Sequence, residues 1–210
     1  MTSEPTPDAT SAPERRDLDA DGDGPRLWII RHGPTEWSSS GRHTGRTDVP
    51  LTPEGEREAS ALRSRLGGVA FGLVLTSPLQ RARRTAQLAG FPDAEVEPLA
   101  REWDYGDYEG RTRAEIREEI PDWSAWTYPD MPNGERLDQV AERAAKVVER
   151  ARSSGADDVL LFAHGHFLRM VGVTWIDAPW TLAWRLPIDP ATISVLGWDR
   201  GTAVLERWNC

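Results

Sequence analysis

Three short apolar runs, "RLWII" (26–30), "FGLVLTS" (71–77) and "DDVLLFAHGH" (157–166), constrain this chain more than any other feature. Each reads as a strand buried on both faces, the last ending at His164. The stretches between them repeat at a helical period instead. "LTPEGEREASALRSRLGG" carries Thr52 as N-cap, Pro53 at the first helical position and acids in the first turn. "SPLQRARRTAQLAG" spaces Ser77 and Gln80 as a capping box and lays Leu79, Ala82, Ala86 and Ala89 along one stripe. "GERLDQVAERAAKVVERARSSG" puts Leu137, Val140, Ala141, Ala144, Val147, Val148 and Ala151 on one face. A further helix follows His164 through about Trp175, and "TISVLGWDRGTAVLERWN" reads as a hairpin turning at Gly201. This alternation predicts an α/β three-layer sandwich: a mainly parallel sheet, helices on both faces, an antiparallel edge. Between 100 and 135 the periodicity fades into a polar, Trp- and Pro-rich stretch with a brief helix near 112–119. That stretch is expected to form a small helical and loop lid.

The length of 210 residues suits one domain, placed at 25–210. Residues 1–24 hold seven acids against Arg15 and Arg16, and thus carry −5 of the net −9. "DLDADGDG" within that tail reads as a solvated linker, since no glutamate follows at the spacing that closes a calcium loop. A net charge of −9 argues against nucleic acid or an anionic membrane as partner. Cys210 is the only cysteine, so neither a disulfide framework nor a thiolate metal site is available. No apolar run reaches the length of a membrane span, and the N-terminus lacks the pattern of a signal peptide. The expectation is a cytoplasmic, soluble protein. A homodimer through a Trp-rich face is left open.

In open parallel sheets, ligands sit at the carboxyl ends of the strands. Arg31-His32 follows the first run, Ser77 to Arg81 the second, and His164 ends the third. Three distant segments therefore bring cationic and imidazole groups to one edge. Guanidinium forks suit phosphate, Gly33 lets backbone N–H groups approach a ligand, and Arg81 lies near a helix start that already favours an anion. An imidazole beside two guanidiniums is pushed toward its neutral, nucleophilic form. Attack on phosphorus would give a phosphohistidine. One carboxylic acid could then protonate the leaving group and later activate water. "LAREWDYGDYEGRT" offers Glu102, Asp104, Asp107 and Glu109, and sequence physics does not choose among them.

"RHGPTEWSSSGRHTGRTDVPLTPEGE", "TSPLQRARRTA", "REWDYGDYEG" and "LLFAHGHFLR", in that order, resemble the histidine phosphatase (phosphoglycerate mutase-like) superfamily over about 26–209. The resemblance implies His32 as nucleophile, Arg31, Arg81 and His164 as ligands of the transferring phosphoryl group, and Glu102 as proton donor and then base. It implies Gly33, Thr35, Ser38, Thr44, Gly45, Tyr105 and His166 as residues facing the substrate, a small phosphorylated metabolite. His43 belongs to the longer motifs, and Trp37 and Trp103, which flank motif residues, are candidates for the pocket wall, Trp residues otherwise being expected in core or lid. No metal or cofactor is implied.

Cofactor-dependent mutases resemble "RHGES-x-W-N". This chain has Pro34 and Thr35 for Glu-Ser, Ser38 for Asn, and few residues after His164 to keep water off a phosphoenzyme. Phosphatase chemistry is therefore expected rather than mutase transfer, with most resemblance to acid phosphatases and the sedoheptulose-1,7-bisphosphatase-like branch. An acidic optimum is expected, because the glutamate must be protonated when the leaving group departs. A non-catalytic phosphate-binding scaffold is the remote alternative, and the presence of both histidines and the acid speaks against it.

Overall fold

The computed structural model describes residues 24–128 and 131–210. The acidic tail read at 1–24 lies, apart from Gly24, outside the described residues. The described elements are β1 (Arg26–Arg31), α1 (Glu36–Ser40), α2 (Pro53–Leu66), β2 (Leu73–Thr76), α3 (Gln80–Leu88), β3 (Glu95–Val96) and α4 (Arg113–Arg117). They continue with α5 (Leu137–Arg152), β4 (Asp158–Ala163), α6 (Gly165–Trp175), β5 (Ile193–Asp199) and β6 (Thr202–Arg207). Six strands form one sheet in the order β3-β2-β4-β1-β5-β6. Strands β1 to β4 run parallel. The closing hairpin adds β5 antiparallel to β1, and β6 antiparallel to β5. The predicted mixed sheet is thus present, and the hairpin turns at Arg200 and Gly201, both at positive φ.

Alternation along the strands sorts the core into two layers. Ile30, Leu160 and Phe162 pack with Leu62 and Leu66 of α2 and Ala86 of α3. Leu27, Ile29, Val159, Leu161 and Ala163 pack on the other face with Val140, Ala144 and Val147 of α5 and Leu168 and Val171 of α6. Every residue of β4 is buried, as a central strand covered on both faces should be.

The starts of the helices show where local sequence decides. Thr52 caps α2, its Oγ1 accepting from Gly55 N at 3.0 Å, with Pro53 behind it. The box expected from Ser77 and Gln80 does not form: Leu79 is the N-cap of α3 and makes no side-chain cap bond. Ser77 stands two residues too early, and its hydroxyl is engaged by His164 Nε2 at 2.7 Å. Thr35 and Ser38 form a capping box that starts the five-residue α1, a signal present in "TEWS" but not read from it. Strand β3 has two residues and leaves no periodicity to read. The 100–135 stretch contributes Trp103, Tyr105, Tyr108, Ile116, Trp123 and Met131 to the larger core layer. Its Trp content is explained by that packing.

Candidate active site

The sheet topology performs the convergence expected from the sequence. Strand β4 lies between β1 and β2, with Arg31 paired to Ala163 and Thr76 to Phe162. Just past these pairs, His32 N donates to Ala163 O at 3.0 Å and Ser77 N to Phe162 O at 2.9 Å. His32, Ser77 and His164 therefore emerge side by side.

His32 is buried, and its Nδ1 lies 2.7 Å from Gly33 O. A carbonyl can only accept, so Nδ1 carries the ring proton and Nε2 keeps its lone pair. Burial, then the charges of Arg81 and Arg31, push His32 well below its ordinary 6.5, with the Gly33 carbonyl opposing. The His32 imidazole is thus held toward its neutral form, with its free nitrogen fixed by tautomer.

The rings of His32 and His164 stand 5.2 Å apart at 60°. His164 Nδ1 accepts from Arg81 Nε at 3.2 Å, so its Nε2–H is the donor to Ser77. Burial and then Arg81 hold His164 well below 6.5 as well. Arg81 is fully buried, unlike its exposed neighbours Arg83 and Arg84. Its terminal nitrogens donate to the carbonyls of Thr44 (3.0 Å), Gly45 (3.1 Å) and Thr47 (2.9 Å). Among the described residues one of its five N–H groups stays uncommitted, and its Nε edge faces His164.

Arg31 donates from Nη1 to Ile188 O at 2.7 Å, while its buried Nε–H meets no acceptor among the described residues. That Nε lies against Gly165, where an added Cβ would stand 3.2 Å away. Burial lowers the Arg31 pKa, and Glu102 opposes this.

Of the four acids of this stretch, Glu102 is the one held against the start of α6. Glu102 Oε1 accepts from Trp103 N (2.9 Å) and Phe167 N (2.8 Å), and Oε2 from His166 N (3.0 Å). It is thus seated on the N-terminus of α6, beside His164, by the N–H groups of His166 and Phe167. The other acids of the stretch are committed elsewhere. Asp104 pairs with Arg46 at 2.7 Å, Asp107 accepts from Asn133, and Glu109 accepts from the backbones of Gly45 and Thr47.

The remaining predicted residues divide. Tyr105 Oη lies 2.6 Å from His166 Nδ1, and both rings pack with His43 in one aromatic cluster. Gly33 N donates to Thr85 Oγ1, and a Cβ at Gly33 would stand 2.5 Å from Gly55 O. Gly45 serves close approach too, since its Cβ would meet Trp103 O at 2.5 Å. The hydroxyls of Thr35 and Ser38 bond within their own capping box, and Thr44 Oγ1 donates to Arg42 O. These three support the loop after β1 through bonds of their own. Ser77 stands at the sheet edge expected for the segment that follows β2, and its hydroxyl meets His164 directly. Arg169, whose Nε is a buried donor with no acceptor among the described residues, was missed. Among the described residues no group of three or more His, Cys, Asp or Glu could hold a metal ion.

A parallel sheet with paired histidines, two arginines and one seated glutamate at its carboxyl edge defines a phosphoryl-transfer site. The model of the histidine phosphatase superfamily (branch 1) matches residues 27–210, and the chain belongs to that family. It is 42% identical over 183 residues to an acid phosphatase of Mycobacterium tuberculosis, covering 86% of this chain and 90% of that protein. It is 38% identical over 184 residues to sedoheptulose 1,7-bisphosphatase of Saccharomyces cerevisiae, covering 72% of this chain and 67% of that one. A solved structure of an open reading frame product from Mycobacterium tuberculosis superposes with a TM-score of 0.83 at 41% identity. That match covers 88% of this chain and 97% of the other.

Proposed function

We propose that this protein is a metal-independent phosphomonoesterase of small phosphorylated metabolites, working through a phosphohistidine on His32. The observation that carries the reading is the state of His32: neutral, donating from Nδ1 to Gly33, and faced by the charges of Arg31 and Arg81. Its Nε2 lone pair forms the N–P bond while the ester P–O bond breaks. Glu102 gives its proton to the departing alkoxide, which leaves as an alcohol. Water then attacks the phosphohistidine, Glu102 takes a proton from it, and the N–P bond breaks to release phosphate and regenerate His32. Arg31 Nε–H and the uncommitted N–H of Arg81 suit phosphoryl oxygens in both steps.

The similarity to an acid phosphatase and a sugar bisphosphatase supports phosphorylated sugars and phosphorylated acids as the substrate class. The cytoplasm, where such metabolites are made, is the compartment we assign. No described helix is long and apolar enough to cross a membrane, and a single cysteine suits a reducing compartment.

The test is phosphate release from a panel of sugar phosphates and phosphorylated acids, with a bisphosphoglycerate-primed 3-phosphoglycerate reaction beside it. Free phosphate is expected from the panel, and His32→Ala is expected to lower the rate by roughly 10³-fold or more. Comparable rates in the two proteins, or transfer to a second metabolite without phosphate release, would reject the reading. Because His32 resists protonation, the acid limb of kcat/KM should fall well below pH 6.5. A limb centred at 6.5 or above counts against His32 as the neutral nucleophile.

A further inference from the structure

The apolar face of α5 contains one residue that does not belong on it by polarity. Arg143 is 4% exposed, among Leu137, Val140, Ala144 and Val147. A buried guanidinium is costly unless every donor is met, and here all five are. Nε and Nη2 donate to the two oxygens of Glu135 at 2.8 and 2.9 Å. Nη1 donates to Leu99 O (2.6 Å) and Arg101 O (2.8 Å), and Nη2 also to Glu102 O (3.2 Å).

Glu135 continues the pattern on the far side of the same loop. Its Oε2 accepts from Asp104 N at 3.1 Å, its backbone N donates to Asp104 O at 2.9 Å, and its carbonyl accepts from Trp103 Nε1 at 2.8 Å. Burial alone would raise the Glu135 carboxyl, but the hydrogen bonds and charge of Arg143, the Asp104 N–H and the charge of Arg101 together hold the group below its ordinary range. The Arg143 guanidinium also stacks 4.8 Å from the centroid of Phe167, whose N–H holds Glu102 Oε1. Backbone from 99 to 104 is therefore gripped on both sides of Glu102, and the grip extends to the helix end that seats its carboxylate.

We propose that Arg143 and Glu135 form a positioning clamp that sets the general acid, acting through the backbone of 99–104 without touching substrate. The inference rests on the reading of Glu102 as the acid. A clamp of this kind matters most when the leaving group needs a proton. An alkoxide needs one, whereas p-nitrophenolate departs with little help.

The experiment compares kcat/KM, which reports steps up to departure of the leaving group, for glycerol 2-phosphate and p-nitrophenyl phosphate. It uses wild type, Glu102→Gln, Arg143→Lys and Glu135→Gln. Lysine keeps the charge but loses the fork, so Arg143→Lys shifts the loop while the ion pair to Glu135 remains. Arg143→Lys is expected to lose roughly 100-fold on the alkyl ester, the scale of a small misplacement, and much less on the aryl ester. Glu135→Gln is expected to show the same imbalance and carries the test if the lysine variant does not fold. Equal losses on the two esters in a folded variant, or failure of both variants to fold, would show a purely structural pair and overturn the proposal. If Glu102→Gln itself shows no imbalance, the acid assignment falls, and the clamp's catalytic purpose falls with it.

Discussion

Gly45 shows how much of the site depends on single atoms. Its carbonyl accepts from Arg81, and its Cα faces the backbone of Trp103 so closely that a methyl would stand 2.5 Å from Trp103 O and 2.7 Å from Glu109 Oε2. Gly45→Ala is expected to cost about 1–3 kcal/mol, as overpacking against fixed backbone does, and to weaken inhibition by inorganic phosphate. Urea denaturation and a phosphate inhibition curve check both. An unchanged midpoint would mean the two loops part freely. At this scale the sequence was uneven. His32 and His164 were legible because each ends an apolar run. Glu102 could not be separated from Asp104, Asp107 and Glu109 by spacing, since what distinguishes it is the N-terminus of α6, some sixty residues further along. The resemblance to a family implies Glu102, and the fold seats that residue at the start of α6 beside His164. Arg143 does not enter the sequence reading at all, since its acceptors are mostly backbone carbonyls, which no side-chain pattern encodes.

Among the elements, α2 has a start written locally and α3 does not. Thr52, Pro53 and the first-turn acids announce α2, and Thr52→Ala is expected to cost about 1 kcal/mol. The urea midpoint should fall with the slope unchanged. A drop in the slope would point to a wider loosening, because Thr52 Oγ1 also reaches Pro34 O at 3.3 Å in the loop after His32. Helix α3 begins without a side-chain cap because its N-cap is Leu79, while the Ser77 hydroxyl meets both Leu79 N (3.3 Å) and His164 Nε2 (2.7 Å). Ser77 thus serves the start of α3 and the site together, from two positions before the N-cap. Helix α1 and strand β3, with five and two residues, are too short for any period to show.

For the molecule as a whole, the site sets the response to pH. His32, His164 and His166 are all held well below 6.5, by burial first and then by Arg81, Arg81 and Arg169 respectively. Unfolding returns them to ordinary behaviour, so below about 6.5 the unfolded chain binds the extra protons. Stability is therefore expected to rise with pH through that window and to level off above about 7. Glu135, lowered from 4.5, acts in the same direction but only in more acidic solution. Urea midpoints at pH 5.5 and 7.5 isolate the histidines: the first should be lower, and His166→Asn should narrow the gap. Equal midpoints in the unmodified protein would remove the argument.

The place of β4 between β1 and β2 has a consequence for how the protein is made. The first two strands never pair with each other, and the strand that joins them comes far later in the chain. A ribosome that has not yet delivered Asp158–Ala163 holds a chain with two bare strand edges, His32 without His164, and no helix end for Glu102. The histidine pair and the seat of Glu102 thus form only once β4 and the start of α6 have been made. The same bare edges make the growing chain most exposed to sticking just before the site forms.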